Sequence, residues 1–107
     1  MAVEIKIKGE VVYAYLSGEL DHHSAAFMRQ AIDSAIELNM PTLLIMDFEN
    51  ITFMDSSGIG LVMGRYRNLS KSGAVLNITG VSRQMYKMME MAGLNRLAKI
   101  EQQSNER

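Results

Sequence analysis

The chain contains no cysteine. Disulfide staples and thiolate metal sites are therefore excluded, and the fold has to be held by its apolar core. It also lacks a strong charge of either sign. Eleven basic residues stand against twelve acidic ones, for a net charge of -1. That balance gives no electrostatic footprint for nucleic acid or for an anionic membrane. No apolar run approaches the ~20 residues of a membrane-spanning helix. The start, MAVEIKIKGE, alternates apolar with charged residues and carries no signal-peptide pattern. The simplest reading is a cytoplasmic protein that contacts neither nucleic acid nor membrane.

What is present points to one folded unit. The 107 residues, 48% of them hydrophobic, suit a single domain over 1–107 with one core. There is no linker and no internal repeat. Ten methionines are many for this length, and core filling is their expected use.

The order of elements follows from periodicity. Val3, Ile5 and Ile7 alternate with charged residues, as in a half-buried strand. Gly9-Glu10 turns the chain into VVYAYLSG (11–18), and the pair reads as a hairpin. The second strand is apolar on both parities, which places it inside the sheet. Residues 24–39 switch to a helical period, with Met28, Ala31, Ile32 and Ala35 on one stripe and Pro41 closing the segment. LLIMDF (43–48) is a buried strand, 57–72 a second helix, and AVLNIT (74–79) a strand whose Val75, Asn77 and Thr79 face is thinly covered. A third helix, 82–92, a short strand, 97–101, and a loose tail, QQSNER, complete the chain. The expected fold is α/β: a mixed sheet with an antiparallel edge strand in an N-terminal hairpin, parallel middle strands, and helices mostly on one face.

The informative stretch is FMDSSGIG, 53–60. With Ser57 set at zero on a 100° wheel, Ile59, Val62, Met63, Tyr66 and Leu69 fall between about 120° and 240° and are expected to face the core. Ser57 then points away from them, on the side of Gly60, Leu61, Gly64, Asn68 and Lys71. Asp55 or Ser56 is the expected N-cap, because its side-chain oxygen accepts the free amides of the first turn. Gly60 and Gly64 each cost roughly 0.8–1 kcal/mol relative to alanine. Either an outside partner approaches this backbone, with Leu61 as its exposed apolar anchor, or the glycines let the helix sit close to a neighbouring helix. A phosphate on Ser57 suits the helix start, which favours an anion. A partner on the same face would be repelled.

Other chemistry is poorly matched. Asp21, His22 and His23 could suggest a metal, but adjacent histidines diverge on a regular element. They are expected to form a rim near Asp55 and Ser57 or to cap the first helix. A serine hydrolase lacks its G-x-S-x-G elbow here, and no phosphate loop is present. No cofactor is expected.

The segments LSGELDHHSA (16–25), ENITFMDSSGIGLVMGRYR (49–67) and MAGL (91–94) resemble the anti-sigma factor antagonists of the STAS domain family, over roughly residues 3–101. The paired histidines after GELD are similar to the branch that controls sporulation sigma factor F. The resemblance implies a STAS-like fold and a partner that is both anti-sigma factor and serine kinase. It implies release of a sigma factor on binding, and loss of binding when the kinase phosphorylates the second serine of DSSG, Ser57. A metal-dependent serine/threonine phosphatase would restore the hydroxyl, and Asp21 and Asp55 would flank the site. The expected partner surface comprises Asp21, His22, Asp55, Ser56, Ser57, Gly58, Gly60, Leu61, Gly64 and Asn68. The protein is then a switch and not an enzyme. The alternative is a phosphate- or nucleotide-binding sensor using the same helix start. A third reading is a non-phosphorylated interaction domain of a larger signalling assembly.

Overall fold

A computed structural model describes residues 2–104. The strands are β1 (Ala2–Lys8), β2 (Val11–Leu20), β3 (Leu43–Met54), β4 (Val75–Val81) and β5 (Lys99–Gln102). The helices are α1 (His22–Asn39), α2 (Ser56–Ser70) and α3 (Arg83–Met91), with a short 3-10 turn at Leu94–Arg96 before β5. The described residues form one sheet in the order β1-β2-β3-β4-β5. β1 pairs antiparallel with β2, and every later pairing is parallel.

The expected hairpin, the interior position of β2 and the parallel middle strands are all found. One parity of the strands is buried throughout: Val12, Ala14 and Leu16 on β2, Leu44, Met46 and Phe48 on β3, Leu76 and Ile78 on β4. These join Met28 and Ile32 of α1, Leu61, Val62 and Leu69 of α2, and Met85 and Met89 of α3 in a single core. Met28, Met46, Met54, Met85 and Met89 thus fill the interior, as their number suggested. The opposite parity carries Tyr13, Tyr15, Ile45, Asn77 and Thr79, none fully buried, with the two tyrosine rings stacked at 6.0 Å. Side chains alternate across a strand, so all three helices pack on one face and the other stays open.

β3 is longer than the expected 43–48. Its register against β2 slips twice, between Tyr15 and Ser17 and again between Gly18 and Glu19. Each slip adds a residue to β3, a β-bulge that bends the strand without ending it. Exposed Glu49 and Asn50 sit at the first bulge, and their polarity reads as a turn in the sequence. The extension pairs Leu20 with Met54, so β2 and β3 end side by side. Gly80 makes room for this bend. Its φ is +72°, and a Cβ there would stand 2.8 Å from the Glu49 amide nitrogen.

The tail is less loose than expected. Gln102 belongs to β5, and the Gln103 amide donates to the Val81 carbonyl at 2.8 Å. Residues 105–107 of that tail lie outside the described residues.

Candidate functional site

The paired ends of β2 and β3 launch two helices from the same edge of the sheet. Asp21 caps α1: its carboxylate accepts the His23 and Ser24 amides at 3.0 Å each. Ser24 completes a capping box by accepting the Asp21 amide at 2.9 Å. The Ser24 amide, followed by the Ser24 hydroxyl and the His23 amide, holds the Asp21 carboxyl below the usual carboxylate range. Because the folded value is depressed, this cap is at full strength above the ordinary carboxylate pKa. It is lost as pH falls through the folded value. Asp55 caps α2, accepting the Ser57 amide at 2.8 Å. The Asp55 amide donates to the Leu20 carbonyl at 3.2 Å, which ties the two caps together. The expected neighbourhood of Asp21, His22, Asp55 and the serines is therefore present. His22 and His23 open α1 itself, ahead of the expected helix start at residue 24, with their rings edge to face 5.7 Å apart.

α2 is turned relative to its sequence projection. Its buried residues are Gly58, Leu61, Val62, Arg65 and Leu69. On the same wheel they lie at roughly 40–140°, about a quarter-turn from the projected centre. Ile59, Met63 and Tyr66, projected into the core, are only half-buried. Two residues cause the rotation. Gly58 packs its backbone against Met54 and Leu20, where an added Cβ would clash. Arg65, which projection treats as outward, is 6% exposed and paired with Asp33 of α1, Nε to Oδ1 at 2.9 Å.

Four expected site residues change role with this rotation. Leu61 is 4% exposed and belongs to the core, so it is no surface anchor. Gly58 is buried and serves packing. Asn68 is half-buried and donates its Nδ2 to Asp33 Oδ1 at 2.9 Å, clamping α2 to α1. Ser57 does not look straight out: it is half-buried on the flank of α2 that faces α1. Ser56, the first helical residue, is the exposed hydroxyl. At about 260° it lies opposite the buried stripe. Phe53, 52% exposed just before Asp55, is the large apolar group beside this helix start. Its place is hidden in the sequence, because polar Glu49-Asn50 looks like the end of the strand at Phe48.

Gly60 and Gly64 keep their expected place outside the core. A Cβ on either meets no atom within 4 Å beyond its own helix, so close packing of α2 on another helix does not require them. Between α1 and α2 they leave a groove of about 450 Å³, walled by His22, Ala25 and Arg29 on one side and Ser57, Gly60 and Gly64 on the other. Gly60→Ala and Gly64→Ala are each expected to raise the unfolding free energy by roughly 0.8–1 kcal/mol. Chemical denaturation measures this. A loss of stability would mean that α2 needs these glycines for its own packing.

Known proteins share this fold and sequence. The family model described as the STAS domain matches residues 2–106. An anti-sigma F factor antagonist of Paenibacillus polymyxa is 31% identical over 100 residues, covering 94% of this chain and 86% of the relative. The solved structure of the anti-sigma factor antagonist SpoIIAA in its unphosphorylated form superposes with a TM-score of 0.82 at 33% identity, over 97% of this chain and 90% of that one. The Bacillus cell fate determinant SpoIIAA in its phosphorylated form gives 0.77 at 34% identity, over 97% and 93%.

Proposed function

This chain belongs to the STAS domain family, and on that premise we propose that it is an anti-sigma factor antagonist switched off by phosphorylation of Ser56. It binds an anti-sigma factor that is also a serine kinase and thereby releases a sigma factor. The kinase then phosphorylates Ser56, the complex separates, and a metal-dependent serine/threonine phosphatase restores the hydroxyl. The protein is the substrate in this cycle and performs no catalysis. It acts in the cytoplasm and touches neither nucleic acid nor membrane.

The observation that carries this reading is the exposed Ser56 hydroxyl at the outward position of a capped helix start. It stands in a chain similar to an antagonist whose structure exists in phosphorylated and unphosphorylated forms. Exposure moves the acceptor from Ser57 to Ser56, because a kinase has to bring a nucleotide's terminal phosphate in line with the hydroxyl. Ser57, half-buried against α1, offers less approach. The contact surface supported best is Phe53 to Ser56, the outer face of α2 at Gly60 and Gly64, and the Asp21–His22 corner. The glycines let a partner backbone come close, and Phe53 replaces Leu61 as the apolar anchor.

The test is displacement. Added to a purified complex of the cognate anti-sigma factor with its sigma factor, the unphosphorylated protein should release free sigma factor in proportion to its concentration. The same protein treated beforehand with the kinase and ATP should release little. No release by the untreated protein would refute the reading.

A further inference from the structure

The groove between α1 and α2 is lined by two arginines and one histidine, Arg29, Arg65 and His22, and by no acidic residue. Asp21 and Asp55, close by, are turned to the amides of their own helices. At the floor, Arg65 is buried yet short of acceptors. A guanidinium has five N–H donors in a rigid fork. Here Nε faces Asp33 Oδ1 at 2.9 Å without making a hydrogen bond, and Nη1 has no hydrogen-bond partner. That same Asp33 oxygen already accepts from Asn68. Burial pushes the Arg65 guanidinium below its ordinary pKa, and Asp33 opposes this. The site therefore combines a cationic lining, unfilled donors and an open wall at Gly60 and Gly64.

We propose that this groove receives an aspartate or glutamate side chain of the anti-sigma partner, seated between Arg29 and Arg65 beside the Ser57 hydroxyl. The inference rests on the antagonist reading above and adds an anchor to it. The groove is continuous with the helix start assigned to the partner, so a ligand there arrives on the partner's own backbone. A singly charged carboxylate suits the place better than a phosphate, because the cap acids Asp21 and Asp55, each next to a residue that lines the groove or one position removed from it, repel each added negative charge. Exposed Arg29 can offer its planar fork to the carboxylate, and Arg65 beneath adds its unfilled Nη1, a donor that a lysine cannot place there. The paired serines then differ in use: Ser56 is modified, and Ser57 lines the pocket that holds the partner's acid.

Titration calorimetry against the cognate anti-sigma factor, at low and high salt, tests this. Arg29→Glu, on an exposed helix position, is expected to weaken binding by at least about tenfold at low salt and to flatten the salt dependence. Arg65→Lys, which keeps the charge and the Asp33 pairing, is expected to weaken it by about tenfold with little change in melting temperature. Lys99→Glu, on the far edge strand, controls for net charge and should bind like the wild type. Binding of both arginine variants within about twofold of the wild type would overturn the proposal while leaving the antagonist reading intact. Absence of binding by the wild-type protein would overturn both. In an NMR titration with inorganic phosphate, saturation of the Gly60 and Gly64 amide shifts without competition against the partner would make the groove a free-anion site and also overturn it.

Discussion

Ser56→Asp is expected to weaken the complex with the anti-sigma factor by about a hundredfold or more, ~2.7 kcal/mol, while shifting the melting temperature by only a few degrees. The fold has no reason to resist the charge. Ser56 is exposed in the first turn of α2, opposite the buried stripe. An anion there meets the positive end of the helix dipole, worth about 0.3–1 kcal/mol in its favour. A phosphate, carrying about −1.5 to −2 charges, is tolerated for the same reason. The partner has no such compensation. Bound over Phe53, Ser56 and Gly60, it would bury the new charge beside Asp55 and Asp21, and a desolvated like-charge contact costs several kcal/mol. Calorimetric titration together with thermal melting separates the two effects. Unchanged affinity would remove Ser56 from the interface. A large fall in melting temperature would mean that its side chain supports the fold.

Leu61→Arg should behave in the opposite way. The sequence projection makes it an interface variant. The structure makes it a core variant, with Leu61 packed into the cluster that contains Val62, Leu69 and Leu20. Arg65 already occupies the nearest position for a buried cation, one turn on, and takes up Asp33 as counter-ion. A second guanidinium would enter the core without a partner carboxylate. Such a change belongs to the class that costs about 4–5 kcal/mol or more, a large share of the 5–15 kcal/mol that holds a typical domain together. Urea denaturation should show a strongly destabilised or unfolded variant. Melting close to the wild type, with weaker partner binding, would restore Leu61 to the surface.

The contrast between these two positions shows where sequence reasoning worked. The strands and helices were legible because each has a clean period: Val3-Ile5-Ile7 at two, Met28-Ile32-Ala35 at three to four. The meeting of Asp21 and Asp55 was legible as well, since parallel strands end at the same side and each acid precedes a helix. β3 was cut short because Glu49 and Asn50 look like a turn, whereas a bulge lets polar residues stay in the strand. The face of α2 was misjudged for a different reason. Hydropathy counts glycine as blank and arginine as outward, but Gly58 is buried for backbone packing and Arg65 for its tie to α1. A stripe drawn through 58, 61, 62, 65 and 69 has sound helical spacing. Only the Asp33 partner, 32 positions away in sequence, makes its arginine acceptable, and nothing local signals that pairing. That quarter-turn moved the outward hydroxyl from Ser57 to Ser56.

The most direct test is fragment mass spectrometry of the protein after incubation with its cognate anti-sigma kinase and ATP. A single phosphate on Ser56 is expected, absent from Ser56→Ala and retained in Ser57→Ala. Phosphate found on Ser57 of the wild-type protein, with Ser56→Ala still labelled, would contradict it.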